Sequence, residues 1–451
     1  MRSAPTFRKH SAAGVDWAAW MLGIGLGLTL AMQVEAMTKS DIADAYSIVA
    51  TLSRIAALTG TYFAIIGIFF VARIPAIEKG VGHDRLVAWH RKLGPWSLYL
   101  ITLHFLLVLI AFAGQDQIPL YKELWSFLQT WPWMWPALVG LFLMLMAGIT
   151  SYRKARAKMS YETWWIIHIY TYVAIAASFM HQVLNGQMFV GHPLNRLYWT
   201  LLYIAMAASV LTFRVGAPLW RSLRHNLVVE KVVIEGPGLV SIIMKGRNLH
   251  GLAAEGGQFF SWRFLTRGHF LMSHPYSLSA APSEHYLRIT VKDLGDHSRT
   301  VRYIKPGTRV FVEGPYGAFT AGRATQPHIV MVGGGVGITP IRAVMEEFKS
   351  GVEIDVFYRV SRAEDLILKD ELDYLVANSN GMVRVWYLVG SRKEYPMDAE
   401  FIRSYAPRAA DSDFYICGPA ALVETVRQAA ADLGVPKNRF HDEDFAFHPV
   451  K

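Results

Sequence analysis

Apolar stretches of membrane-spanning length recur through the first half of this sequence, and that recurrence limits what the chain can fold into. A hydrocarbon core of about 30 Å takes roughly 20 apolar residues in a helix. Six stretches reach that length, at about 16–36, 47–72, 93–114, 134–151, 162–184 and 197–213. The excess of apolar residues (53% of 451, against 18% charged) is confined to this half. After about residue 225 the sequence reads as an ordinary soluble protein, and the total length suits two or three domains.

The charges between the stretches alternate by side. Arg2, Arg8 and Lys9 precede the first; Arg73, Lys79, Arg85, Arg91 and Lys92 lie between the second and third. Arg153, Lys154, Arg156 and Lys158 lie between the fourth and fifth, and Arg214, Arg221 and Arg224 follow the sixth. The opposite loops hold only Lys39, Lys122 and Arg196. Basic loops stay on the cytoplasmic side, so the N-terminus and the whole C-terminal half are expected in the cytoplasm and the protein in the plasma or inner membrane. The net charge of +10 is therefore a topology signal, and no nucleic-acid partner is expected. A single cysteine, Cys417, excludes an internal disulfide or a cysteine-ligated cluster. Residues 1–15 lack a signal-cleavage pattern and read as a cytosolic tail.

Ionisable side chains inside a span are expensive and point to function. The third stretch region holds His90 and His104, fourteen residues apart; the fifth holds His168 and His181, thirteen apart. Imidazoles from two facing helices make a six-coordinate haem site. At about 1.5 Å per residue each pair spans roughly 20 Å, so two stacked haems would bridge most of the core. Both stretches run inside to outside, which pairs His90 with His168 near the cytoplasm and His104 with His181 near the outer face. Polar core residues bonded between helices are the alternative. Fourteen residues return to the same helix face and thirteen do not, so either the fifth span distorts locally or its two ligands approach their haems differently, and Gly94-Pro95 predicts a kink in the third. His83 and His192 read as loop residues. Arg54, in the second span near its outer end, either binds an anion or haem propionate or snorkels to the interface.

Residues 226–320 alternate short β-rich runs (226–235, 239–245, 258–262, 285–292, 308–313) with Gly/Pro turns, the pattern of an antiparallel β-barrel. From about 327, strands and helices alternate as in a parallel α/β sheet. The strand 328–332 runs into Gly333-Gly334-Gly335-Val336-Gly337-Ile338-Thr339-Pro340 and then a helix, where glycines let the backbone approach a pyrophosphate. The second strand of this domain ends Tyr358-Arg359-Val360-Ser361-Arg362; arginines there favour the 2′-phosphate of NADPH over the free ribose of NADH, the alternative being solvated loop charges.

Together these motifs resemble the NADPH oxidase and ferric reductase family of transmembrane flavocytochromes b, whose cytosolic half is similar to ferredoxin–NADP reductase. The resemblance covers about residues 45–447 and includes the histidine spacings of fourteen and thirteen. It implies two haem b groups held by His90, His104, His168 and His181. His274-Pro275-Tyr276-Ser277 matches the family's flavin motif: Tyr276 would pack on the isoalloxazine of FAD, Ser277 would bond near its reactive nitrogen, and His274 would lie by the phosphates. Gly295-Asp296-His297-Ser298, after the strand ending at Lys292, matches its flavin-diphosphate turn. Gly314-Pro315-Tyr316-Gly317 and the run 333–340 match its nucleotide segments. Cys417-Gly418-Pro419 matches the segment beside the nicotinamide, and Phe445 or Phe447 would cover the flavin. Ser277, Cys417 and Phe445 are thus the implied catalytic residues.

The expected organisation is a tail at 1–15, a membrane domain at 16–218, a flavin domain at 225–322 and a nucleotide domain at 325–451. The expected route takes electrons from NADPH to FAD, to the His90/His168 haem, to the His104/His181 haem, and to an outer acceptor. Dioxygen giving superoxide is favoured for that acceptor, because Asp41, Asp44, Asp116, Glu123 and His192 are too scattered to bind iron. Ferric iron, an outer partner protein, or spans that merely anchor a flavin reductase are the alternatives.

Overall fold

The computed structural model describes residues 13–270, 273–348 and 351–444. The chain divides into a helical unit up to Val215 and a second unit from Gly216 onward.

The helical unit holds α1 (Ala13–Glu35), α2 (Ala45–Val71), α3 (Pro75–Val81), α4 (His83–Asp116), α5 (Leu120–Thr130), α6 (Met134–Ser151), α7 (Arg153–Arg156), α8 (Tyr161–Asn185) and α9 (Pro193–Val210). Among the described residues, five stretches are long and apolar enough to cross a membrane: Ala45–Val71, Arg85–Asp116, Met134–Ser151, Thr163–Asn185 and Pro193–His225. Six were expected; the first falls in α1, of which Leu22–Glu35 is an apolar helix among the described residues. Polar caps set where the spans begin. The Asp44 carboxylate accepts from the backbone N–H of Tyr46 and Ser47 (2.8 and 2.9 Å), and Ser160 Oγ from that of Thr163 (3.1 Å). α4 starts earlier than the apolar pattern suggests, which puts His83 at the first helical position and not in a loop. It continues as helix through Pro95. α2 packs along α4 and α6 along α8. The second contact requires glycine at 140, where a Cβ would stand 2.8 Å from the Ala174 carbonyl oxygen.

The second unit opens with α10 (Ala217–His225) and the strands β1 (Leu227–Gly236), β2 (Leu239–Lys245), β3 (Phe259–Phe264), β4 (His274–Ser277), β5 (Leu287–Lys292) and β6 (Arg309–Tyr316), with α11 (Asp296–Thr300) after β5. The strands form one antiparallel sheet in the order β4-β3-β6-β1-β2-β5. The two edges of the sheet adjoin at the bridge Leu278–Ile289. Alternation decides its inner face: along β3, Phe260, Trp262 and Phe264 are buried and their neighbours are not.

A parallel sheet follows, built from β7 (His328–Gly334), β8 (Glu353–Val360), β9 (Val383–Val389), β10 (Asp413–Gly418) and β11 (Phe440–Asp444), with α12 (Ile338–Glu347), α13 (Lys369–Ala377), α14 (Ala399–Tyr405) and α15 (Ala420–Asp432) between them. Its order is β11-β10-β7-β8-β9. The chain winds outward from β7 in one direction and then returns to β10 on the other side. The crevice at the C-terminal ends of β7 and β10 is therefore the topological switch point, where such sheets bind ligands. Charged contacts tie the two sheets together. Arg288 of β5 makes a bidentate pair with Glu371 of α13 (2.6 and 2.8 Å), and Glu347 of α12 accepts from the Gly256 N–H (2.6 Å).

Candidate functional site

Helix α2 serves as a rail of acceptors for the histidines of α4. His90 Nδ1 donates to the Gly67 carbonyl (2.9 Å) and His104 Nδ1 to the Ser53 carbonyl (3.1 Å). Ser53 Oγ lies 2.8 Å from the same nitrogen and donates to the His104 carbonyl (3.0 Å). Because a carbonyl only accepts, Nδ1 carries the proton in both rings, and Nε2 keeps the lone pair a metal needs. The helices are antiparallel, and Ser53 and Gly67 stand fourteen residues apart, as do His104 and His90.

The α8 histidines are held less firmly. His168 stacks on Trp164 (ring centres 5.0 Å, planes 20° apart), and its Nδ1 lies 3.4 Å from Ser151 Oγ. His181 Nδ1 is buried with no hydrogen-bond partner among the described residues. The structure brings His90 and His168 together with ring centres 6.0 Å apart and planes at 83°. Two imidazoles on opposite sides of one iron, with metal–nitrogen bonds of about 2 Å, need roughly that separation, so the pair fits a haem. His104 and His181 line one cavity of about 250 Å³, together with Leu109, Phe112 and Phe127. α8 runs as helix from Tyr161 to Asn185, so the thirteen-residue spacing is met without a break.

Arg54 also lines that cavity, but it is not a free cation. Its Nη1 donates to Asp41 Oδ1 (2.6 Å) and Gln187 Oε1 (2.7 Å), and Gln187 Nε2 donates to Asp41 Oδ2 (2.7 Å), closing a ring. Burial raises the Asp41 pKa, but the Thr38 N–H, Gln187, the Thr38 hydroxyl and Arg54 outweigh it and hold the carboxyl down at about 2. Sequence reasoning placed Asp41 among scattered outer carboxylates. The need of an intramembrane arginine for a counter-charge was the signal that could have singled it out; nothing in the sequence points to Gln187.

In the second unit, His274-Pro275-Tyr276-Ser277 is β4 itself, a strand that the proline and its shortness conceal in the sequence. It pairs with β3, and Trp262 Nε1 donates to the Tyr276 carbonyl (2.9 Å). Ser277 is buried, and burial pushes the Tyr276 phenol up. The turn after Lys292 is closed by Ser298, whose hydroxyl accepts from the Leu294 N–H (2.8 Å) and donates to the Gly295 carbonyl (3.0 Å). The two motifs meet where the His274 ring stacks on His297, centres 3.4 Å apart.

At the switch point the glycine run faces Cys417-Gly418-Pro419. A Cβ on Gly334 would stand 2.9 Å from the Pro419 ring, and one on Gly337 would strike the Cys417 carbonyl, so these glycines are needed for the two strand ends to meet. Gly333 and Gly334 form the buried end of β7, and Gly335 takes a left-handed φ of 56°. Thr339 Oγ1 donates to the Val336 carbonyl (2.9 Å) and Pro340 sits in the first turn of α12. Cys417 is fully buried.

The arginines after β8 separate into two kinds. Arg362 is exposed and paired with Glu364 (2.7 Å) and Asp365 (3.3 Å), and Ser361 beside it is exposed. Arg359 has a buried Nε with no hydrogen-bond partner among the described residues; burial, then the charge of Arg392, pushes its pKa down. Arg392, in the loop after β9, was not picked out in the sequence, because only the parallel pairing of β8 and β9 brings the two together. Phe445 and Phe447 lie outside the described residues.

Residues 56–179 match the family described as ferric reductase like transmembrane component, 224–320 an FAD-binding domain and 331–428 an oxidoreductase NAD-binding domain. The flavohemoprotein of Halalkalibacterium halodurans is 30% identical over 251 residues, 50% of this chain and 60% of that protein. NADH-cytochrome b5 reductase 1 of Pyricularia oryzae is 29% identical over 242 residues, 50% of this chain and 77% of that one. The chain thus spans about three fifths of the first of these relatives. Among solved structures, the FAD/NAD-binding domain of nitric oxide dioxygenase from Vibrio cholerae aligns at 23% identity with a TM-score of 0.39, covering 49% of this chain and 99% of that one.

Proposed function

We propose that this chain, which has the NADPH oxidase and ferric reductase architecture of a ferric reductase-like transmembrane component followed by FAD- and NAD-binding domains, carries electrons from NADPH across a membrane to a small acceptor. The observation that most supports this is the opposed pair His90 and His168, 6.0 Å between ring centres, with the α4 histidines locked in the metal-binding tautomer by α2. When bound, FAD would take a hydride from NADPH and release electrons singly, and two haems would relay them.

The chain's own residues supply position. His90 and His168 would hold one haem, and His104 and His181 the other. His274, His297 and Ser298 would face the FAD diphosphate, with Tyr276 and Ser277 by its ring. The crevice between Gly333–Gly337 and Cys417–Pro419 would seat the nucleotide. Arg359 and Arg392, two facing cations of which Arg359 has an unpaired buried nitrogen, suit a 2′-phosphate and so NADPH. In this reading α1 is a sixth span and both termini are cytoplasmic.

Dioxygen, reduced to superoxide, is the acceptor that best suits the cavity beside His104 and His181, because apolar side chains dominate its lining. The absorption spectrum of the purified protein tests the reading: two low-spin haems per chain are expected. No haem would leave only a membrane-anchored flavin reductase. Superoxide-dependent dye reduction, set against reduction of a ferric chelate, separates the two acceptors.

A further inference from the structure

Three histidines meet beside the turn at 292–298, and hydrogen bonds assign a proton position to two of them, His269 and His297. His269, buried in the loop after β3, places Nδ1 2.8 Å from His297 Nε2 and Nε2 3.2 Å from Thr300 Oγ1. The Thr300 hydroxyl donates to the His297 carbonyl (2.9 Å), so toward His269 its oxygen accepts. His269 therefore carries its proton on Nε2, and its Nδ1 is an acceptor. That makes His297 Nε2 the donor between the two rings. A neutral His297 would then present a bare lone pair at Nδ1, which is buried and has no hydrogen-bond partner among the described residues. A lone pair repels phosphate oxygen; an N–H binds it.

We propose that His269 is a positioning residue for FAD: by accepting the Nε2–H of His297 it supports that ring in the doubly protonated state, with Nδ1–H directed at the flavin diphosphate, so that FAD binds together with a proton. This rests on the reading that FAD occupies this turn. Two titratable side chains of the described residues face His297: His274 from β4, stacked on it, and His269 from the loop after β3. A second proton on His274 would be opposed by the first, which holds the uptake to about one per FAD. Without FAD, burial, then His274 and His269, push the His297 imidazole down to about 3. A bound dianion raises that pKa. The added affinity is therefore full below the flavin-free pKa and is lost as pH rises through the pKa of the complex.

The test is calorimetric titration of FAD into flavin-depleted full-length protein in detergent, in two buffers of different ionisation enthalpy. Wild type should take up about one proton at pH 6, with Kd rising up to tenfold per pH unit above it. His269→Phe, which removes the acceptor, should raise Kd at pH 6 by about ten- to a hundredfold and flatten the pH dependence. His269→Asn, with an amide oxygen near the Nδ1 position, should restore most of both. Should depletion denature the chain, the rate of FAD fluorescence recovery on dilution of the holoprotein gives the same comparison. Proton uptake of zero, or a His269→Phe variant that binds as wild type does, overturns the inference. Failure of wild type to bind FAD at any pH overturns the flavin assignment itself.

Discussion

Replacing Arg359 or Arg392 with Ala is expected to raise the KM for NADPH while leaving that for NADH unchanged. A charge-assisted hydrogen bond to phosphate contributes about 1.5–3 kcal/mol, and each 1.4 kcal/mol is about a factor of ten. Each substitution should then raise the KM for NADPH by about tenfold or more, and the pair by about a hundredfold or more if the two act independently. Arg362→Ala is the internal control. Its guanidinium is already engaged by Glu364 and Asp365 in the open, so it should change the KM by about twofold at most. Stability should not fall in the Arg359 variant, because the residue loses no bond at its buried Nε and the repulsion from Arg392 is relieved. The assay is initial-rate reduction of a soluble dye that takes electrons from the flavin, with each nucleotide, at fixed ionic strength. Equal weakening for NADH and NADPH, or an Arg362→Ala effect as large as that of Arg359→Ala, would refute the assignment.

His104→Leu should lower haem content by about half and abolish reduction of the outer acceptor, while dye reduction from the flavin continues near its normal rate; full haem content with outer activity intact would return these histidines to ordinary packing roles. Asp41→Asn should lower the thermal midpoint of the helical unit at pH 7, since the half-buried Arg54 loses its charged partner, at roughly 1–3 kcal/mol. The Asp41 pKa is lowered from 3.8 to about 2, so the stabilisation is present above 3.8 and disappears as pH falls through 2. Melting curves of wild type and variant should therefore converge in strong acid, and a constant gap down to pH 2 would show that charge is not its source. Truncation before Phe445 should alter kcat or nucleotide preference with flavin still bound, measured by the dye assay and the flavin-to-protein ratio.

The parts legible in the sequence were those with a periodic or lengthwise signature. Apolar length marked the spans, alternation marked β1, β2, β3, β5 and β6, and the strand–glycine–helix order marked the switch point. β4 escaped because Pro275 and four residues of length imitate a turn. α5 escaped because its apolar face is one side of an 11-residue surface helix, too short to register as a span. Within the candidate sites, residues of unusual type for their surroundings were visible: histidines and an arginine among leucines, a glycine run after valines. Their partners were ordinary residues made special only by tertiary neighbours. Ser53, Gly67 and Gln187 belong to this class, as do Arg392, which needs β9 beside β8, and His269, which needs the turn at 292–298 folded against it.

The matched spacing along α2 has a consequence for how this helix can change. One residue inserted between Ser53 and Gly67 would turn one end against the other by about 100° and advance it about 1.5 Å. Either the Ser53 end or the Gly67 end could remain seated against α4, but not both. A chain carrying such an insertion would keep one histidine in its metal-binding tautomer and release the other, so the two candidate haem sites could be uncoupled without touching any of the four histidines. Substitutions along the outer face of α2 carry no such penalty. The helix should therefore accept exchange among apolar residues at those positions while admitting no change in its length between residues 53 and 67.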